Sequence, residues 1–143
     1  MSVLLDTDFL VAYWNPEETQ HESAEALYDE LRQGRRGRLF VTDYIVDEAA
    51  TVAMRRARSN EVARSFLRFL LGLPPATQTF SLLHVGPDMF HRAAQRFLRQ
   101  GSRGLSFTDC TSLEALSEFA IDAIATFDSG FRGLAGVIPE PTG

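Results

Sequence analysis

Two periodicities alternate along the chain. Ser2-Val3-Leu4-Leu5-Asp6 reads as a short buried strand, and Phe9, Leu10, Tyr13 and Trp14 then recur at helical spacing, so strand meets helix at Asp6. Asn15-Pro16-Glu17-Glu18 carries helix-start signals: Asn as N-cap, Pro at the first helical position and Glu18 at the capping-box position. The helix expected there buries Ala24, Leu27, Tyr28 and Leu31 until Gln33-Gly34-Arg35-Arg36-Gly37 breaks it. Arg38-Leu39-Phe40-Val41-Thr42 reads as a second strand, followed by a helix from about Asp43 to Arg58. Ser59-Asn60 caps a further helix carrying Val62, Phe66, Leu67, Phe69 and Leu70, which Gly72 and Pro74-Pro75 stop. Thr79 to Val85 is a third strand, and Gly86-Pro87 opens a helix that runs to about Arg99 and is closed by Gly101 to Gly104. The last helix begins at Ser106 or Phe107 and carries Leu113, Ala115, Leu116 and Phe119. It is followed by strands at Ile121 to Thr126 and Val137-Ile138.

Strands alternating with helices at this spacing predict an α/β three-layer sandwich, with helices flanking a mostly parallel central sheet of four to five strands. A chain of 143 residues fits one domain, residues 1–143, built on one core. In such sheets ligands bind beyond the carboxyl ends of the strands, and here those positions are acidic: Asp6 follows the first strand and Asp128 the fourth. On the third helix Ile45, Ala49, Val52 and Ala53 define the buried face. Glu48 lies about 60° from Ile45 and faces inward, whereas Asp47 points to water. Asp109, three residues after Ser106, is placed either to cap its helix or to act as a ligand. Asp8 is either a further acid or the N-cap of a helix beginning at Phe9, and capping is the preferred reading. Acids converging on one edge repel by several kcal/mol at partial burial, which a divalent cation relieves. An oxygen-only donor set suits Mg²⁺ or Mn²⁺, and such an ion activates water for phosphodiester hydrolysis.

Composition narrows the choices. All 14 basic residues are arginine, which excludes mechanisms that need a lysine, such as Schiff-base enzymes and the Gly-Lys-Ser/Thr phosphate loop. An Asp6-Thr7-Asp8 phosphatase of the haloacid-dehalogenase type falls with them, for want of the lysine that balances a phosphoaspartate. A single cysteine, Cys110, excludes internal disulfides and thiolate clusters and reads as a small buried hydrophobe; His21, His84 and His91 lack metal-ligand spacing. No apolar run is long enough for a membrane span, and a cytoplasmic protein is expected. A net charge of −5 argues against nonspecific coating of nucleic acid, so the position of the arginines matters more than their number. They cluster at Arg32, Arg35, Arg36 and Arg38, at Arg55, Arg56 and Arg58, and at Arg92, Arg96 and Arg99. Each cluster reads as a solvated or paired surface or as a guide for the phosphates of a ligand, with Arg55 and Arg56 the foremost candidates. Phenylalanine is frequent at eleven residues, and Ser65–Leu71, which holds two of them, is more apolar than one helix face requires and leaves material for a partner surface.

Four stretches together resemble the PIN-domain ribonucleases, in particular the VapC toxins of toxin–antitoxin pairs: Leu5-Asp6-Thr7-Asp8, Asp47-Glu48-Ala49-Ala50-Thr51, Leu105 to Ser112, and Thr126-Phe127-Asp128-Ser129-Gly130-Phe131. The resemblance spans nearly the whole chain. It implies a PIN-like fold in which Asp6, Glu48, Asp109 and Asp128 are the catalytic, metal-binding acids and Thr7, Thr108 and Ser129 supporting hydroxyls, with Asp8 beside them. It further implies Mg²⁺- or Mn²⁺-dependent endonucleolytic cleavage of RNA, a homodimer, and inhibition by a cognate VapB-like antitoxin. Asp8 departs from the family pattern, where a small neutral residue is commoner. A noncatalytic PIN-like module binding RNA or protein is the alternative.

Overall fold

The computed structural model describes residues 1–140. Its elements in chain order are β1 (Ser2–Leu5), α1 (Thr7–Trp14), α2 (His21–Arg32), β2 (Arg38–Thr42), α3 (Asp43–Ala57), α4 (Asn60–Leu71), β3 (Ser81–Leu83), α5 (Pro87–Arg99), α6 (Phe107–Glu118), β4 (Ala123–Ala125) and β5 (Val137–Ile138). Short 3₁₀ turns lie at Gly101–Arg103 and Ser129–Phe131. The five strands form one sheet in the order β3-β2-β1-β4-β5, and every pairing is parallel. The sheet is therefore fully rather than mostly parallel, with helices supplying the crossovers that parallel neighbours require.

β1 is the centre of the sheet, paired with β2 on one side (Val3 opposite Leu39) and β4 on the other (Val3 opposite Ala123). Val3, Leu4 and Leu5 are almost wholly excluded from water, as expected for a strand covered on both faces. From β1 the chain builds outward through β2 and β3, then returns to add β4 and β5 on the other side. The strand order thus reverses between β1 and β4, which is where a crevice opens beyond the carboxyl ends.

Most boundaries follow local signals. Ser59 caps α4 by accepting from the Val62 amide, and Gly72 ends it in the left-handed conformation, where an added Cβ would come within 2.6 Å of Gln78. Pro87 stands in the first turn of α5, and Ser106 caps α6. The expected helix start at Asn15-Pro16 is overturned: α2 begins at His21. The Asn15 side chain instead accepts from the Glu17 amide within a turn, and Glu18 pairs with Arg56 of α3 at 2.5 Å. Here the residues preferred at N-caps serve equally well in a tight turn. β3 and β4 are shorter than expected, covering only Ser81–Leu83 and Ala123–Ala125 of the apolar runs around them. The apolar surplus of α4 is largely absorbed internally: Phe66 and Leu70 are buried, and Phe69 packs with Tyr13, Trp14, Tyr28 and Phe80. Among the described residues no helix is long and apolar enough to cross a membrane.

Because β1 has no face to collapse toward water, Leu4→Ala is expected to cost about 2–5 kcal/mol in urea unfolding. Gln33→Ala, exposed just beyond α2, is expected to stay within about 0.5 kcal/mol.

Candidate active site

The crevice at the β1–β4 switch holds a cavity of about 280 Å³ lined by Asp6, Thr7, Asp8, Val11, Glu48, Val52, Arg56, Ser106, Asp109 and Asp128. All four acids expected from the sequence border it, and Asp8 makes a fifth. Each arrives on a different element. Asp6 leaves β1, Asp8 sits in the first turn of α1, Glu48 projects from α3, Asp109 stands in the first turn of α6, and Asp128 follows β4. Glu48 is half-buried and Asp47 exposed, as the helical phase requires.

Asp6 is only 3% exposed and is held at both oxygens: Oδ1 accepts from the Thr7 amide at 2.9 Å and Oδ2 from the Thr126 hydroxyl at 2.8 Å. It is also the N-cap of α1. This corrects the reading of Asp8 as cap of a helix beginning at Phe9, since α1 starts two residues earlier and Asp6 already fills that role. Asp8 is left to accept from the Phe127 amide, at 3.2 and 3.3 Å to its two oxygens, which ties α1 to the segment after β4. Thr126 organises the cluster. Its single hydroxyl hydrogen goes to Asp6, with Asp8 Oδ1 a second acceptor at 3.2 Å, while its oxygen accepts from the Asp128 amide at 3.0 Å. The sequence signal for Thr126 was its place at the end of a strand, one step before the Phe-Asp pair; its hydroxyl was not singled out.

Asp109 is a cap and a cavity residue at once. Its Oδ2 accepts from the Ser106 amide at 3.0 Å while its own amide donates to Ser106 Oγ, completing a capping box. Oδ1 has no hydrogen-bond partner among the described residues. Asp128 caps the turn that follows it by accepting from the Gly130 amide at 2.8 Å. A Cβ on Gly130 would come within 2.8 Å of the end of the Leu105 side chain and 3.1 Å of an Asp128 carboxylate oxygen, so a larger residue would require the Leu105 side chain to shift.

Burial, reinforced by the charges of Asp8 and Asp109, pushes the Asp6 carboxyl well above the usual carboxylate range, against the pull of its Thr126 and Thr7 hydrogen bonds. Asp8 is raised by burial and by Asp128, and Asp109 by burial and by Asp128 and Glu48. Each of these three raised carboxyls feels the charge of at least one other acid at the cavity. Among the described residues, however, no three His, Cys, Asp or Glu side chains already stand in a metal-coordinating geometry. Within the cluster Asp6 has both oxygens engaged in hydrogen bonds, and Asp109 and Asp128 one each. The donor chemistry nevertheless fits a hard divalent cation. It is all oxygen, it carries the like-charge excess a cation relieves, and Mg²⁺ commonly takes one or two carboxylates and keeps its remaining waters. Thr7 lines the cavity, and its Oγ1 is buried without a hydrogen-bond partner.

The supporting set divides. Thr7 lines the cavity; Thr108 and Ser129 do not, Ser129 facing instead a separate pocket with Gln20, Ser23 and Arg132. The arginine pair divides too: Arg56 lines the cavity, while Arg55 is exposed on α3 and does not. Arg92 and Arg96 are committed to Glu114 and Glu118 and tie α5 to α6. Cys110 is buried, as its type predicts.

A family model described as PIN domain matches residues 3–137. A protein of Archaeoglobus fulgidus named VapC ribonuclease is 25% identical over 132 residues, covering 92% of this chain and 80% of that protein. Among solved structures, Mycobacterium tuberculosis VapC20, described as a sarcin–ricin loop cleaving toxin, superimposes with a TM-score of 0.83 at 22% identity, covering 97% of this chain and 99% of that one. VapBC2 of Rickettsia felis, solved bound to a DNA fragment from its promoter, gives a TM-score of 0.67 at 13% identity, with coverage of 96% and 97%.

In the fold Asp6 titrates above its unfolded value, so between the two values the native state keeps a proton that the unfolded chain releases. Raising the pH through that window therefore lowers stability, and below the ordinary carboxylate range the cost vanishes. Without divalent cations at pH 7, Asp6→Asn is expected to melt several degrees above the parent, on a scale where 1 kcal/mol moves Tm by about 4 °C. The gain should fade below about pH 4. Added Mg²⁺ should raise the parent's Tm more than the variant's, as read by calorimetry.

Proposed function

Because the chain belongs to the PIN-domain family, we propose that it is a metal-dependent endoribonuclease that hydrolyses RNA phosphodiester bonds and acts as the toxin of a VapBC-type toxin–antitoxin pair. The observation that carries this reading is the convergence of Asp6, Glu48, Asp109 and Asp128 on one cavity at the β1–β4 switch, where a divalent cation would relieve their repulsion.

The residues that would hold Mg²⁺ or Mn²⁺ are Asp6, Glu48, Asp109 and Asp128, with Asp8 contributing charge beside them. Such an ion supplies Lewis acidity toward phosphoryl oxygens and acidifies water in an in-line displacement. The chain's own groups do the rest. Thr126 fixes the Asp6 carboxylate through its hydroxyl and anchors Asp128 through its oxygen, so the ends of β1 and β4 are tied together. The capping box leaves Oδ1 of Asp109 unengaged at the cavity wall. Arg56, the one cationic side chain lining the cavity among the described residues, binds a substrate phosphate; Glu18 holds its guanidinium at 2.5 Å until substrate competes for it.

The partners follow from the same reading. A VapB-like antitoxin has, in the apolar groove between α3 and α4 lined by Val46, Ala50, Met54, Ala63 and Leu67, a surface suited to an amphipathic helix. The protein is a cytoplasmic homodimer, and Phe90, Phe97 and Leu98 of α5, exposed as no core residue would be, supply apolar surface for the second copy. Light scattering should return twice the chain mass, and Phe97→Glu should shift the population toward monomer.

The deciding experiment is incubation of the antitoxin-free protein with total RNA in Mg²⁺, Mn²⁺ or EDTA, with fragment 5′ ends mapped. Discrete cuts should require metal. Asp6→Asn and Asp109→Asn should each lower kcat/KM about a hundredfold or more with unchanged circular dichroism, the scale of losing a group that stabilises transition-state charge. Arg56→Gln should act mainly on KM. Metal-independent cutting, or full cleavage by Asp6→Asn, would overturn the mechanism. No cleavage by a folded protein would favour a noncatalytic binding module.

A further inference from the structure

Half of the fourteen arginines on this chain are already committed to carboxylates. Arg32, Arg36, Arg64, Arg68, Arg92, Arg96 and Arg56 all pair with carboxylates. Arg99 and Arg103 pair with none among the described residues, and both line a cavity of about 280 Å³ together with Arg96, Gln100, Leu105 and Leu134, in which no acid stands. Gln100 is unavailable to a ligand, since its amide exchanges two 2.8 Å hydrogen bonds with the Leu105 backbone and thereby shapes the wall. Arg103 donates from Nε to the Gly130 carbonyl at 3.0 Å and from one Nη to the Arg132 carbonyl, which leaves three of its five N–H donors free.

This basic cavity adjoins the acidic one. Leu105 lines the first and Ser106 the second, and Gly130 accepts from Arg103 while its amide donates to Asp128. A strand whose scissile phosphate lies among five carboxylates must carry its neighbouring phosphates past this same wall, and those phosphates need positive charge that the acidic cavity does not offer. We propose that Arg99 and Arg103 form a phosphate-binding subsite for the RNA backbone, separated from the reacting centre by the Ser106 and Asp128–Gly130 wall. With Arg56 on the α3 side, the subsite defines a path that crosses the acids from α3 toward α5. The inference rests on the ribonuclease reading and specifies how the substrate lies.

The test is binding of a fluorescein-labelled mixed-sequence RNA oligonucleotide to the full-length Asp6→Asn chain in Mg²⁺, followed by anisotropy over a salt series. Adding Arg99→Gln and Arg103→Gln together should weaken binding about tenfold and reduce the log K against log salt slope by about one. Arg103→Lys, which keeps the charge but loses the two-point grip on the Gly130 turn, should retain the slope; a purely structural role for Arg103 would instead make it fail like the glutamine. In the cleaving parent, Arg99→Gln should raise KM and leave kcat unchanged. Unchanged affinity and slope in the double variant, with RNA still bound by Asp6→Asn, would overturn the subsite and leave the nuclease reading intact. Absence of RNA binding and cleavage by the parent chain would remove both together.

Discussion

Holding carboxylates together at the carboxyl ends of β1 and β4 against their own repulsion is the constraint that the rest of the structure serves. The two strands are hydrogen-bonded neighbours at the point where strand order reverses, so Asp6 and the Thr126–Asp128 segment emerge side by side. Backbone and hydroxyl donors then offset part of the cost. Asp6 receives Thr7 and Thr126, Asp8 receives Phe127, Asp109 receives Ser106, and Asp128 receives Gly130. Each of these four acids is thus a structural cap or tie as well as lining the cavity, and the two roles are compatible because a carboxylate has more acceptor sites than any one cap uses.

Where one local signal had no rival, it could be read from the chain. Ser59 and Gly72 bracket α4, Pro87 opens α5, and the Ser106–Asp109 box starts α6, each through chemistry confined to a few residues. The acids could be read for a related reason, since strand ends and helix phase alone bring Asp6, Glu48 and Asp128 to the same edge. Where two explanations shared the same residues, local reading failed. Asn15-Pro16-Glu17-Glu18 serves a turn or a helix start equally well, and the long-range pairing of Glu18 with Arg56 belongs to the turn. Asp6 and Asp8 compete for a single N-cap, and Asp6 fills it because α1 begins directly after β1. Thr126 and Arg103 act through groups 120 and 27 residues away, which no window along the sequence contains.

The chain's net charge of −5 bears on how a polyanion could approach it. An acidic protein cannot attract RNA by its overall field, so its attraction must come from cations placed where local acids do not cancel them. Ion pairing on the outer helices therefore has a consequence beyond stability. By neutralising Arg32, Arg36, Arg64, Arg68 and Arg92, it leaves the uncancelled positive charge in a few places, among them the wall beside Asp128. Arginine suits that arrangement better than lysine would. Its planar fork lets Arg103 grip two backbone carbonyls and still present N–H groups outward, whereas a single ammonium would have to choose between holding the Gly130 turn and meeting a phosphate. The turn that positions Asp128 and the charge that would draw substrate toward it are in this way carried by the same side chain.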